Sequence, residues 1–210
     1  MIASMVPLAG VTNSLIVLDL QSDADDLASQ SAMLLANLDG FSLDYVAKQK
    51  VGGVNLNFFF VKQFPLLTPM AYMRPCPWHF DRTISDWIKL AVVELTYTSY
   101  DLATFARDLG YDGPPFRWDE ERRFLIRCEL DAAFFHLYGI ERDDVDYIME
   151  TFPIVKRKDA ARYGCYRTKE QILAIYDAMR RAMDGGGSYE TILDPPPGDR
   201  RAAHNEIGGA

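Results

Sequence analysis

At 210 residues, 49% of them hydrophobic and 12% aromatic, the chain is long enough to bury a core and too apolar for a disordered or fibrous protein. No apolar run nears the roughly 18 residues of a membrane helix, and the N-terminus lacks the basic flank of a signal peptide. A net charge of −8 argues against a lone, tight nucleic-acid binder, whose affinity comes mostly from neutralising phosphates.

In chain order, Leu15–Leu18 is a short apolar run that predicts a buried strand. A helix should follow, capped by Ser22, with Asp23, Asp25 and Asp26 in its first turn. Its apolar positions are Leu27, Leu34, Leu35 and Leu38, near Ser31, and Asp39-Gly40 ends it. Ser42 can cap a second short helix, stopped by Gly52-Gly53, and Val54–Phe64 reads as a strand. Pro65, Pro69, Pro75 and Pro77 then rule out continuous helix or central strand, which makes this stretch the best internal boundary. Ile84–Tyr97 and Tyr100–Leu109 read as helices, followed by a rigid turn over Tyr111–Pro115. The clearest element is Asp119–Tyr138, capped by Asp119 and stopped by Gly139. It carries apolar residues on two faces, which predicts a helix covered on both sides, and Arg127 and Asp131 can pair at i,i+4. A shorter helix runs from Arg142 to Glu150 and stops before Pro153. Thr168 and Gln171 fit a capping box opening a helix over 169–183, and residues 184–210 read as a frayed tail.

Catalytic patterns are sparse. There is no phosphate loop, no GxSxG elbow, no HExxH helix and no glycine-rich turn between strand and helix that could cradle a nucleotide. His79, His136 and His204 are isolated, and His136 suits a packed position inside its helix. The acidic run from Glu141 to Asp146 fits no calcium loop and suits a helix N-terminus instead, so no metal site is expected. Cys76, Cys128 and Cys165 are scattered and lack CxxC spacing, which points to free thiols and a cytoplasmic location. The charge is unevenly spread. Residues 1–155 hold 12 basic and 22 acidic groups, whereas residues 156–181 hold 8 basic and 3 acidic, so polyanion contact made by charge belongs there or near Lys48, Lys50 and Lys62.

The segment Lys48-Gln49-Lys50-Val51-Gly52-Gly53-Val54-Asn55-Leu56-Asn57 offers phosphate-contacting lysines, amides able to read base edges, and glycines that allow close approach. On composition alone the plainer reading, a surface helix end with a glycine stop, is favoured. The blocks QKVGGVNLNFF, GPPFRWDEERR, ELDAAFFHLYGIERDDVDYI and TFPIVKRKD, within a likeness running from about residue 1 to about 197, resemble the C-terminal end of large adenine-specific DNA methyltransferases. These belong to type IIG-like restriction–modification and phage-defence systems. In that family the first block looks like the closing part of a target-recognition region, with a helical C-terminal extension behind it. The family's S-adenosylmethionine-binding domain and its Asn-Pro-Pro-Tyr/Phe motif have no counterpart here, since the Pro-Pro pairs at 114–115 and 195–197 follow Gly and Asp. The donor is therefore expected only in a separate catalytic part, and the chain is expected to be a truncated product or a separately encoded piece.

These readings predict an α+β, predominantly α fold: a small α/β target-recognition remnant at 1–69, a helical C-terminal region at 70–184 and a flexible tail at 185–210. The resemblance implies a DNA-recognition and assembly role that is not catalytic alone. The DNA-side candidates are Lys48, Gln49, Lys50, Gly52, Gly53, Asn55, Asn57 and Lys62, with Lys156, Arg157 and Lys158 as a secondary phosphate patch. The expected partners are DNA within the full system and a methylase or helicase catalytic part, with no membrane contact. The alternative is a packing module that docks on such a subunit without touching DNA.

Overall fold

A computed structural model describes residues 3–7, 17–20, 26–50 and 58–205. The fold is mostly helical with a small β part. No helix among the described residues is long and apolar enough to cross a membrane.

Residues 15 and 16 of the expected first strand lie outside the described residues, and Val17 and Leu18 are exposed without regular structure. No strand lies beside them among the described residues, and without a partner an apolar run has no ladder to join. Helix α1 (Leu27–Asp39) is capped by Asp26, whose carboxylate accepts the Ser29 N–H at 3.2 Å; the expected cap, Ser22, is outside the described residues. Of the expected apolar positions only Leu38 is buried, and the rest of the buried stripe is Ser29, Ala32, Met33, Ala36 and Asn37. Small side chains let α1 settle closely on α5 (Ile84–Thr96), its main packing partner.

Gly40 links α1 to α2 (Phe41–Lys50). The cap on α2 comes from far along the chain, since the Phe41 N–H donates to Asp131 Oδ1 at 2.7 Å. Ser42, the expected cap, lies inside the first turn. Asp131 is buried and makes no ion pair with exposed Arg127 among the described residues, which corrects the i,i+4 expectation. The expected strand at 54–64 is also corrected. Residues 54–57 are outside the described set, and Phe58–Val61 forms one helical turn, α3, with Phe64 buried against Leu38, Leu43 and Ala47. The aromatic run favours a strand by propensity, but burial of Phe64 on α1 and α2 decides its conformation.

The proline-rich stretch holds α4 (Pro69–Tyr72) and a hairpin of β1 (Pro75–Cys76) and β2 (His79–Thr83). Trp78, in the hairpin turn, is fully buried against Trp87, with ring centroids 5.4 Å apart. Thr83 caps α5 by accepting the Asp86 N–H at 3.1 Å. A 3-10 turn, Tyr100–Leu102, leads into α6 (Ala103–Asp108).

Helix α7 (Glu120–Leu137) is the centre of the fold, capped by Asp119 as its sequence predicts. From Cys128 to Phe135 every residue is buried, between α10 (Arg167–Gly185) on one side and α5 and α2 on others. Ala32, Met33 and Ala36 share one core with Trp78, Ile88, Phe134, Met149 and Tyr176, so helices on both sides of residue 69 pack together.

Helix α8 (Arg142–Glu150) keeps its expected bounds. An unexpected helix, α9 (Pro153–Tyr163), follows it, with Pro153 in its first turn and Gly164 left-handed (φ 77°) at its end. The capping box expected for α10 does not form. Its first turn is served by Asp159 of α9, whose Oδ2 accepts the Thr168 N–H at 2.6 Å.

Beyond α10 the chain folds back as a docked strap. Tyr189, Leu193, Ala202 and Ala203 are buried, and Ala203 bridges to Phe116. One oxygen of Glu129 accepts from the Tyr189 hydroxyl (2.8 Å), the Thr191 hydroxyl (2.6 Å) and the Ile192 N–H (3.2 Å). Arg122 holds Glu94 through two nitrogens and donates to the carbonyls of Pro195 (2.7 Å) and Pro196 (3.1 Å), while Glu94 accepts the Gly198 N–H. Over residues 186–205 the tail read as frayed from its proline and glycine is thus docked, because buried carboxylates on α7 and α5 satisfy its backbone.

Candidate nucleic-acid interface

Lys48, Gln49 and Lys50 form the exposed last turn of α2. The Lys48 ammonium lies 3.6 Å from the centroid of the Phe152 ring and 3.4 Å from the Thr151 carbonyl oxygen. Phe152 is buried and meets Phe41 of α2 edge-on at 4.8 Å. The C-terminal end of α2 is therefore seated at the α8–α9 junction. Lys48 thus meets Phe152, the residue that precedes α9, on which Lys156, Arg157 and Lys158 lie.

On α9 the three basic candidates differ in state. Lys156 bonds Glu150 at 2.6 Å, and the other oxygen of Glu150 takes Lys169 at 2.6 Å. These two ammonium groups hold the Glu150 carboxyl below its ordinary range. Arg157 and Lys158 are exposed and have no ion-pair partner among the described residues. Helical spacing places them with Ile154 (59% exposed) and Ala161 on one outward stripe, i, i+3, i+4 and i+7. Arg162 flanks that stripe beside half-exposed Tyr163, over whose ring it sits at 5.1 Å.

Most of the other cations in this basic region are engaged in local pairs. Arg167 binds Glu121 and lies 4.5 Å over Phe124, Lys169 also reaches Asp146 at 3.0 Å, and Arg180 reaches Glu141 at 3.1 Å. The positive balance counted from composition thus reduces on α9 to Arg157, Lys158 and Arg162.

Lys62 is exposed just after α3, between Val61 and Phe64, which pack with Leu43 and Ala47 of α2. Gly52, Gly53, Asn55 and Asn57 lie outside the described residues. Sequence reasoning missed the seat, Thr151 and Phe152, and the contribution of Ile154 and Arg162. The local signal was there: Pro153 followed eleven residues later by Gly164 brackets a helix with proline at its start and glycine past its end.

Among the described residues no group of three or more His, Cys, Asp or Glu side chains is placed to hold a metal ion. Asp143 and Asp144 occupy the first turn of α8, where they face the positive end of its dipole. His136 stacks on Tyr176 at 3.8 Å, with Nε2 3.0 Å from the Tyr176 carbonyl oxygen, and burial lowers its pKa. Burial pushes the Cys76 thiol up to about 11 and raises the Cys128 thiol as well, so neither is set up as a nucleophile.

No protein-family model, curated protein or solved structure matches the chain.

Proposed function

We propose that this chain is the C-terminal DNA-recognition and assembly part of an adenine-specific DNA methyltransferase of a restriction–modification-like system, and that it transfers no methyl group by itself. Two things support the reading: the resemblance of its sequence blocks to that family, and the surface around Phe152. The observation that carries it is the outward stripe of α9, where Arg157 and Lys158 stand without ion-pair partners among the described residues of an otherwise acidic protein, on the helix whose preceding residue, Phe152, seats Lys48 of α2. Such cations contact phosphates as positioning charges. An acidic remainder keeps the affinity of the isolated chain low, so the contact gains force only when a catalytic part holds the same duplex.

The test is DNA retention by the complete system carrying Arg157→Glu and Lys158→Glu together. The expected result is weaker binding and a shallower dependence on salt, by about 0.9 in the log–log slope for each phosphate that is no longer neutralised. Unchanged affinity and slope at low and moderate salt reject the assignment.

A second reading, a packing module that docks on a methylase or helicase subunit without touching DNA, is favoured by one observation. Phe59, Met70, Met73 and Phe80 are all more than half exposed on α3, on and just after α4, and on β2. Replacing Met70 and Met73 with Ser separates the two. Loss of co-purification with the catalytic part, with DNA retention still sensitive to α9, keeps both; loss with α9 charge reversal silent leaves packing alone.

A further inference from the structure

Helix α9 is held along one narrow side. Asp159 is buried and Val155 half-buried, and every other residue of the helix is exposed. Its outward stripe carries Ile154, 59% exposed, with Arg157 three residues on and Lys158 four residues on. Helix α8, joined to α9 through Thr151 and Phe152, turns Val145, Ile148 and Met149 inward. Opposite them stands Tyr147, 62% exposed, with Asp144 three residues before it and Asp143 four residues before it. Helical spacing puts each trio on one face of its helix.

Most of the other charges of α8 and α9 are already in use. Arg142 binds Asp177 at 2.9 Å, and Asp146 binds Lys169 at 3.0 Å. Glu150 binds Lys156 and Lys169 at 2.6 Å each. Asp143 and Asp144 are exposed and make no ion pair among the described residues, and the same holds for Arg157 and Lys158. Asp143 acts on its neighbour Arg142 only through space, and that guanidinium is held by Asp177. The outward face of α8 thus keeps two negative charges beside Tyr147, and that of α9 keeps two positive charges beside Ile154.

The two trios match in register. When an α8 and an α9 lie face to face and antiparallel with Tyr147 on Ile154, Asp143 falls opposite Arg157 and Asp144 opposite Lys158, each within about one residue's rise of 1.5 Å. A parallel arrangement pairs the charges only by placing Tyr147 on Ala161 and leaving Ile154 without an apolar partner.

We propose that these two faces form a dimer contact, α8 of one copy lying antiparallel on α9 of a second. A two-fold axis repeats the contact, so each copy contributes both faces. Burial of Tyr147 on Ile154 supplies affinity, while the exposed ion pairs, each worth little by itself, fix register and direction. The occupant is a second copy because both halves of the contact, with matching spacing and opposite charge, stand on this one chain. The contact does not rest on the DNA-recognition reading. It covers Arg157 and Lys158, so DNA and a second copy exclude one another on the same stripe.

Sedimentation velocity of the full chain without DNA, from micromolar to submillimolar concentration, tests it. The parent should pass from monomer to dimer over that range. Asp143→Lys with Asp144→Lys sets cations against cations, and Arg157→Glu with Lys158→Glu sets carboxylates against carboxylates, so each doubly substituted chain should stay monomeric. An equimolar mixture of the two should dimerise again, because both contacts of the mixed pair oppose unlike charges, and that recovery also shows both chains folded. Tyr147→Ser, which leaves every charge in place, should weaken association about tenfold. The Asp143→Lys, Asp144→Lys chain keeps the α9 stripe, so DNA retention by the complete system carrying it separates failure of this contact from failure of the DNA-recognition reading. A parent that stays monomeric at submillimolar concentration, a dimer indifferent to both double reversals or to Tyr147→Ser, or a mixture that stays monomeric while the circular dichroism of each variant matches the parent overturns the proposal.

Discussion

Asp131 shows how a single side chain can both build this fold and load it electrostatically. Its carboxylate caps α2 through the Phe41 N–H, but burial raises its pKa to about 7, with Arg127 only partly offsetting the cost and Asp39 and Asp44 adding to it. The unfolded carboxyl titrates near 3.8. The group therefore contributes most to stability below about pH 4, and that contribution is lost as pH rises through about 7. Asp131→Asn keeps an oxygen for the Phe41 N–H and removes the ionisation. It should melt higher than the parent at about pH 8 and close to it at about pH 4; equal shifts at both pH values would reject buried ionisation as the cause. His136 acts in the opposite sense. Burial lowers its pKa, so its contribution is present above the ordinary imidazole range and lost as pH falls through the folded value. Asn37, also buried, joins three segments. Its Nδ2 donates to the Tyr138 hydroxyl at 2.9 Å, which donates on to the Pro65 carbonyl, and its Oδ1 accepts from Tyr72 and the Leu67 N–H.

At the scale of elements, the strap over residues 186–205 depends on two carboxylates whose positions in sequence give no hint of that role. Glu129→Ala leaves the Tyr189 and Thr191 hydroxyls and the Ile192 N–H without their acceptor. Its cost should be about 2–4 kcal/mol, less whatever water recovers. Hydrogen exchange should then quicken first within 186–205, while α7 and α10 stay protected; uniform loss of protection would mean the strap is no separate unit. The α1–α5 contact depends on size instead. Ala36 is buried among α1's small residues, so Ala36→Leu should cost about 1–3 kcal/mol through overpacking, measurable by urea unfolding. A neutral result there would show that the two helices have room to separate.

For the whole molecule, the buried alanines and Met33 of α1 belong to the same core as Trp78, Ile88 and Phe134. A chain beginning at residue 70 loses that cover from α5. It should bind an apolar dye and melt below the full chain, and a truncated chain with unchanged melting and no dye binding would count against the shared core. The same packing seats the end of α2 at the junction of α8 and α9, where Lys48 meets Thr151 and Phe152.

Sequence alone determined the elements whose stabilisation is local. The bounds of α7 follow from its own aspartate cap and stop glycine, α8 from acidic residues at its start and proline beyond its end, and the breaks at 65–77 from proline itself. Tertiary structure alone decided what depends on distant partners. Asp131 caps α2, Asp159 serves the start of α10, Glu129 and Glu94 order the strap, and Thr151 and Phe152 receive Lys48. The physical reason is that a cap three residues away is written in local spacing. A buried acceptor 90 residues away satisfies the same N–H equally well but leaves no periodic trace in the chain.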